Sequence, residues 1–278
     1  MKKFLIIFGL IIVFATVIYT SYSQKKPNKT NSQNASGALI KHLKIDPEII
    51  ERETRVPIIL YHYVRNIAPQ PDNLGWGLSV PPSTFQQQME YLVKENYTTI
   101  TPNDLYQYLK YGTPLPPKPI MLTFDDGYLD FFEEVFPVLR DNHLTATNFI
   151  ISNFLGREKY LDWYHLKYMV ASGRVFIGGH TLNHMKLTEV TPEQLEQEIV
   201  INKASLEEGL DTKIDYFAYP YGSYNDNVLN VIKKNKYKAA FTTEDGNVHK
   251  TSQLLKLPRI KVGGGDTVQS FAEKIKAE

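Results

Sequence analysis

From Val56 onward the chain alternates apolar runs of three to five residues with longer segments whose apolar residues recur at helical spacing. Runs this short and this continuously apolar must be covered on both faces, which is the condition of strands in a parallel sheet with helices packed outside. Residues 58–60, 98–100, 120–124, 148–151, 175–177, 216–219, 239–242 and 255–260 are the candidate strands. Helices are expected between them. Ser83-Thr84-Phe85-Gln86 has the form of a capping box ahead of Met89, Leu92 and Val93. Thr101-Pro102 and Thr191-Pro192 each put Pro at a first helical position, the second ahead of Leu195, Ile199 and Leu206. Residues 131–139 predict a helix bent by Pro137, and Asp266 is expected to cap a last helix with Val268, Phe271 and Ile275 inward. About seven such repeats favour a closed or nearly closed α/β barrel over an open sheet.

The 278 residues divide unevenly. Lys2 and Lys3 precede an apolar run over residues 4–20, long for a signal-peptide core and just long enough to span a bilayer. Ser21-Tyr22-Ser23 supplies small residues where a signal peptidase reads. Residues 1–23 are therefore expected to be a signal peptide or a membrane anchor, and the protein to be extracytoplasmic, touching the membrane only through that segment if it is uncleaved. Residues 24–50, rich in Ser, Asn, Gln, Thr and Lys, read as a flexible linker. Residues 51–278 form one folded domain. The absence of cysteine excludes disulfides, thiolate metal sites and a cysteine nucleophile. A formal net charge of +1 leaves no field for nucleic acid. A monomer is expected.

The polar residues of interest sit at strand ends. His62 follows the first candidate strand, Asp125 and Asp126 follow Phe124, His180 follows Gly178-Gly179, and Pro220-Tyr221 follow Tyr219. In a parallel barrel these positions ring the C-terminal mouth, where barrel enzymes carry their chemistry. A bare Asp-Asp-Gly is more often a solvated turn than a site. Two adjacent carboxylates at a strand end nevertheless repel, and a bound cation removes that cost. His180 and His184 are spaced i, i+4, which puts both imidazoles on one side of a helical turn. With Asp126 they form a His-His-Asp set suited to zinc with an open position.

These pieces resemble the polysaccharide deacetylase family, the NodB-homology domain enzymes of carbohydrate esterase family 4. Thr123-Phe124-Asp125-Asp126-Gly127 matches the family's first motif and His180-Thr181-Leu182-Asn183-His184 its second. Residues 217–222 resemble the third and Leu161-Asp162-Trp163 part of the fourth. The family's Leu-x-His motif is absent from the C-terminus, and Leu60-Tyr61-His62 carries it on the first strand instead. That order is similar to the circularly permuted branch of exopolysaccharide deacetylases acting on poly-β-1,6-N-acetylglucosamine. The third motif departs from the family in carrying Ala218 where an Arg usually orients the catalytic Asp, and Arg259 is a candidate substitute.

The resemblance implies a distorted (β/α)7-type barrel and hydrolysis of N-acetyl groups from an N-acetylated polysaccharide. It implies one divalent metal, Zn2+ by default with Co2+ or Ni2+ also fitting the ligands Asp126, His180 and His184. Asp125 is then the general base, His62 the general acid and the Tyr221 backbone N–H the oxyanion donor, since Pro220 has none. Asp162 is expected to hold His62 or another site group, and Trp163 to wall the acetyl methyl or a sugar face. The segment 66–82, with Trp76 between glycines, is a candidate rim loop. An O-acetyl esterase on the same metal site and a non-catalytic polysaccharide-binding module are the alternatives. A β-1,6-glucosamine polymer, peptidoglycan and chitin-like chains all fit as substrate.

Overall fold

The computed structural model describes residues 50–67 and 74–276. The expected signal or anchor segment 1–23 and linker residues 24–49 lie outside them. In chain order the elements are β1 (Glu53–Arg55), β2 (Ile58–Tyr61), β3 (Tyr63–Val64), α1 (Leu74–Gly77), β4 (Ser79–Val80), α2 (Pro82–Lys94), β5 (Thr98–Thr99), α3 (Pro102–Tyr111) and β6 (Pro119–Asp126). A π-turn (Phe131–Val135) leads into α4 (Phe136–Asp141), followed by β7 (Ala146–Ile150), α5 (Trp163–Ala171), β8 (Val175–Gly179), α6 (Pro192–Leu210), β9 (Tyr216–Ala218) and α7 (Asp226–Lys234). β10 (Ala239–Phe241), β11 (Val248–Lys250), β12 (Ile260–Lys261) and α8 (Val268–Lys276) complete the domain.

The main sheet is parallel and runs β10-β9-β8-β7-β6-β2-β12, with β5 pairing the start of β6. One extended segment joins its two edges. Leu257 bridges Phe241 of β10 in parallel, and three residues later Ile260 and Lys261 pair with Ile59 and Leu60 of β2. The sheet thereby curls into a distorted (β/α)7-type barrel with Pro258 and Arg259 at its seam.

Both faces of β2, β6, β7 and β10 are buried, and period-2 alternation sorts the core residues. Ile59, Tyr61, Ile120, Leu122, Phe124, Ile177 and Phe217 join the core shared with the helices. Ile58, Met121, Phe149, Ala218, Ala239, Phe241 and Leu257 form a second core, the packed interior of the barrel. Small residues make room there. A Cβ at Gly178 would drive into the Phe149 ring, so the glycine next to the second motif serves packing.

The helix starts at Thr101 and Thr191 are full capping boxes, with Asp104 and Gln194 as the third helical residues. Two expected starts are displaced. α2 begins at Pro82 behind Pro81, without a side-chain cap, because proline's fixed φ pre-sets the first turn. At α8, Thr267 and Ser270 exchange the capping bonds, while Asp266 instead accepts from the Gly263 N–H and pairs with Lys274. The bend expected at Pro137 is the junction between the π-turn and α4, as the missing N–H of proline requires.

Candidate active site and metal centre

The strand ends do converge. Asp125, Asp126, His62, His180, His184 and Tyr221 line one cavity of about 710 Å³. Asp125 and Asp126 close β6, the central long strand, where β7 pairs them with Phe149 and Ile150 while β2 pairs the strand only as far as Phe124. Alternation sends them apart. Asp125 lies on the inward face with Thr123, and Asp126 turns out of the strand at φ 78° into the glycine turn at Gly127. His184 and Tyr221 are also left-handed, at φ 62° and 58°. Such backbone is costly for residues with a Cβ and persists where surrounding contacts over-determine it.

Asp126 Oδ1 lies 3.2 Å from His180 Nε2 and 3.3 Å from His184 Nε2. The ligand atoms of all three residues fall within 4.8 Å of one another. His180 Nδ1 donates to the Ala218 carbonyl at 2.7 Å, which fixes the tautomer and turns the Nε2 lone pair to the cavity. That explains why Asp126 Oδ1 is buried without a hydrogen-bond partner: the nitrogens it faces offer lone pairs. Three lone-pair donors aimed at one point, one of them orphaned and buried, fit a divalent cation.

The electrostatics agree. Burial alone would raise the Asp126 carboxyl, yet the proximity of His180, His62 and His184 holds it well below the usual range. Burial opposes charge on His180, but Asp125 and Asp126 push its pKa up, so the field at this point favours a positive charge. His184 is lowered to about 4 by desolvation and by His180 beside it, leaving it neutral and able to ligate. Desolvation likewise lowers half-buried His62 against the pull of Asp125 and Asp126.

Arg259 enters from the barrel seam. Its guanidinium is fully buried and grips Asp125 bidentately, Nη1 to Oδ1 at 2.8 Å and Nη2 to Oδ2 at 2.7 Å. It also donates to Thr123 Oγ1 and the Thr242 carbonyl. The Asp125 carboxyl, raised by burial, is brought below its ordinary value chiefly by this Arg and by His180. The Ala218 position is thereby explained. Its small side chain belongs to the barrel interior, and the guanidinium reaches Asp125 from the seam.

Two expected contacts are corrected. Asp162 caps α5, accepting from the His165 N–H at 2.9 Å, while His165 Nδ1 accepts from the Asp162 N–H. It does not line the cavity or hold His62. The Trp163 ring packs so closely over Gly209 of α6 that any Cβ there would collide with it, so it belongs to the helix layer. Pro220 is buried and opens the turn that carries Tyr221, an exposed residue whose ring centroid is 4.7 Å from that of His184.

Sequence reading missed Tyr63 and Tyr128, which line the cavity with their hydroxyls 3.0 Å apart. It also missed the clamp on the second motif. Buried Glu198 of α6 accepts from the Asn183 N–H and side-chain amide, and Asn202 donates to the Ile150 and Thr181 carbonyls. The signal was present in α6, where Glu198 and Asn202 fall i, i+4 on the face of Leu195, Ile199 and Leu206.

Comparison with known proteins agrees with this geometry. The sequence profile described as polysaccharide deacetylase matches residues 112–240. A polysaccharide deacetylase from Bacillus cereus is 30% identical, with a TM-score of 0.72 over 81% of this chain and 70% of that one. The Streptococcus pyogenes deacetylase PplD, solved in complex with acetate, is 27% identical, with a TM-score of 0.75 over 81% of this chain and 100% of that one. The poly-β-1,6-N-acetyl-D-glucosamine N-deacetylase of Staphylococcus epidermidis is 25% identical over 223 residues, 73% of this chain and 77% of its own length. The chain belongs to the polysaccharide deacetylase family.

Proposed function

We propose that this protein hydrolyses N-acetyl groups from an N-acetylglucosamine-containing polysaccharide outside the cytoplasmic membrane, releasing acetate. The observation that carries the reading is the convergence of Asp126 Oδ1, His180 Nε2 and His184 Nε2 beside an Asp125 whose two oxygens are held by Arg259. The Staphylococcus relative supports a β-1,6-linked polymer as the substrate class. The apolar run at residues 4–20 supports export.

Asp126, His180 and His184 would hold one divalent metal, Zn2+ in the first instance. Such a metal supplies Lewis acidity, polarising the amide carbonyl and acidifying water. Asp125, kept ionised by Arg259, takes the proton of the attacking water. The Tyr221 backbone N–H donates to the developing oxyanion. His62, at the end of β2 on the same cavity, returns a proton to the departing amine so that it leaves neutral.

The test is acetate release by the purified chain from β-1,6- and β-1,4-linked N-acetylglucosamine oligomers, after chelation and after Zn2+ is restored. Release that disappears with chelation and returns with Zn2+ is expected, with β-1,6 preferred. Release unaffected by chelation would refute the metal centre, and release from O-acetyl esters alone would refute the N-deacetylase reading.

A further inference from the structure

The cavity is larger than one acetamido group requires and falls in the range that buries a ligand of several rings. Part of its lining comes from elements that carry none of the proposed chemistry: Trp76 of α1, and the run Gly263-Gly264-Gly265 between β12 and α8. Three glycines in succession usually signal unusual backbone. Here none of the three is left-handed, so conformation does not demand them. Space does. A Cβ at Gly263 would collide with the Gly77 carbonyl, and one at Gly264 with the Trp76 carbonyl. The Gly264 Cβ would also stand 2.9 Å from indole Cε2 and Nε1, and a Cβ at Gly265 would stand 3.2 Å from Cη2. The Gly264 N–H donates to the Trp76 carbonyl at 3.2 Å. The indole is therefore laid along a flat backbone seat cleared of side chains, half-buried, with its remaining surface on the cavity.

The polar lining beside this seat is equally specific. Asp266 is anchored by the Gly263 N–H and by Lys274 at 2.7 Å, and Lys261 lines the same cavity. An apolar plate rimmed by a fixed carboxylate and ammonium groups matches a pyranose ring, with C–H bonds on its face and hydroxyls at its edge. Trp163, the other indole of the chain, is taken up by Gly209 and cannot serve.

We propose that Trp76, seated on Gly263-Gly264-Gly265, is a stacking platform for a sugar ring of the polymer next to the one being deacetylated, with Asp266 and Lys261 reading its hydroxyls. This rests on the deacetylase reading above. It makes the enzyme one that engages the polymer along its length, with affinity that grows with chain length.

The experiment measures acetate release from β-1,6-linked N-acetylglucosamine oligomers, dimer to pentamer. For the wild type, KM falls with length. Trp76→Ala should raise KM for the pentamer roughly tenfold and flatten the length dependence, with kcat at saturation and Zn2+ affinity by calorimetry within about twofold. Gly264→Ala, which pushes the indole off its seat, should do the same, and Trp76→Phe should restore most of the loss. The chain has two tryptophans, so a Trp163→Phe variant reports Trp76 alone. Titrating its metal-free form with pentamer should change the fluorescence saturably. Unaltered length dependence in Trp76→Ala, or silent fluorescence in a variant that still releases acetate, overturns the platform and leaves the deacetylase reading standing. Absence of acetate release by the wild type from every oligomer overturns both.

Discussion

Removing Arg259 while keeping its volume, as in Arg259→Met, isolates the contact on which the proposed base depends. The guanidinium makes two bonds to Asp125 and two more, to Thr123 Oγ1 and the Thr242 carbonyl; it is fully buried and the carboxylate nearly so. Breaking a buried pair from one side leaves an uncompensated charge, at a cost of about 3–5 kcal/mol. For a domain of this size, that lowers the melting temperature by roughly 10 °C. Asp125 has a way to reduce the penalty, which is to take up a proton. Burial already pushes its pKa up, and only His180 and His62 would remain to oppose it. Its pKa should rise. The acid limb of kcat/KM against pH should move up with it, so activity lost at pH 6 should return in part at pH 8. Arg259→Lys keeps a charge but not the fork, and should fall between the two.

A double-mutant cycle separates this from general damage. In an Asp125→Asn background there is no charge to strand, so Arg259→Met should cost about 2 kcal/mol less than in the wild type, read by urea denaturation. If the two substitutions add within about 0.5 kcal/mol, and the acid limb stays in place in a folded Arg259→Met protein, then Arg259 does not hold Asp125 ionised.

Asp126→Ala should abolish Zn2+ binding by calorimetry, whereas Asp125→Asn should retain the metal and lose turnover by about 10²–10⁴-fold; a fully active Asp125→Asn would remove it as the base. Glu198→Gln and Asn202→Ala, which loosen the turn between His180 and His184, should weaken Zn2+ binding by about 10–100-fold with the fold retained by circular dichroism. His249 is fully buried with Nε2 donating to the Val56 carbonyl, and desolvation lowers its pKa from 6.5 to about 4. The unfolded chain therefore binds the proton first, so the contribution of His249 is present in full above pH 6.5 and drains away as pH falls towards 4. About 2.5 units at 1.36 kcal/mol each make this about 3 kcal/mol. Urea denaturation of His249→Leu between pH 7 and 4 should show a shallower slope than the wild type, and equal slopes would place the acid lability elsewhere.

The barrel and the grouping of the candidate metal ligands were legible because each rests on a short-range rule. Strands buried on both faces read as apolar runs, and parallel order puts their C-terminal residues at one mouth, so Asp126, His180 and His184 could be grouped before any coordinate. Arg259 stood out less. Its partner is 134 residues away, and only the departure at Ala218 hinted that a guanidinium had to come from elsewhere. Asp162 and Trp163 misled for the opposite reason. Their motif is local, but a capping carboxylate and an indole packed on Gly209 satisfy the same residues without any site. Local sequence cannot choose between a contact within a helix layer and one across a cavity.

What the sequence hides most thoroughly is the backbone at the site. Asp126, His184 and Tyr221 all hold φ near +60° to +80°, a region Asp and His tolerate better than most residues but do not require, and Tyr rarely adopts. Elsewhere local preference and fold agree: capping boxes at Thr101 and Thr191, proline at the helix starts, apolar strands in the core. At the mouth they conflict, and the conflict is held in place by specific bonds. The Thr181 hydroxyl accepts the His184 N–H, Asn202 holds the Thr181 carbonyl, and Glu198 holds Asn183. Strained residues held by buried polar groups lose little freedom when a cation arrives, so much of the ordering cost of binding is met during folding. On that account the residues expected to tune metal affinity lie on α6, one layer behind the candidate ligands.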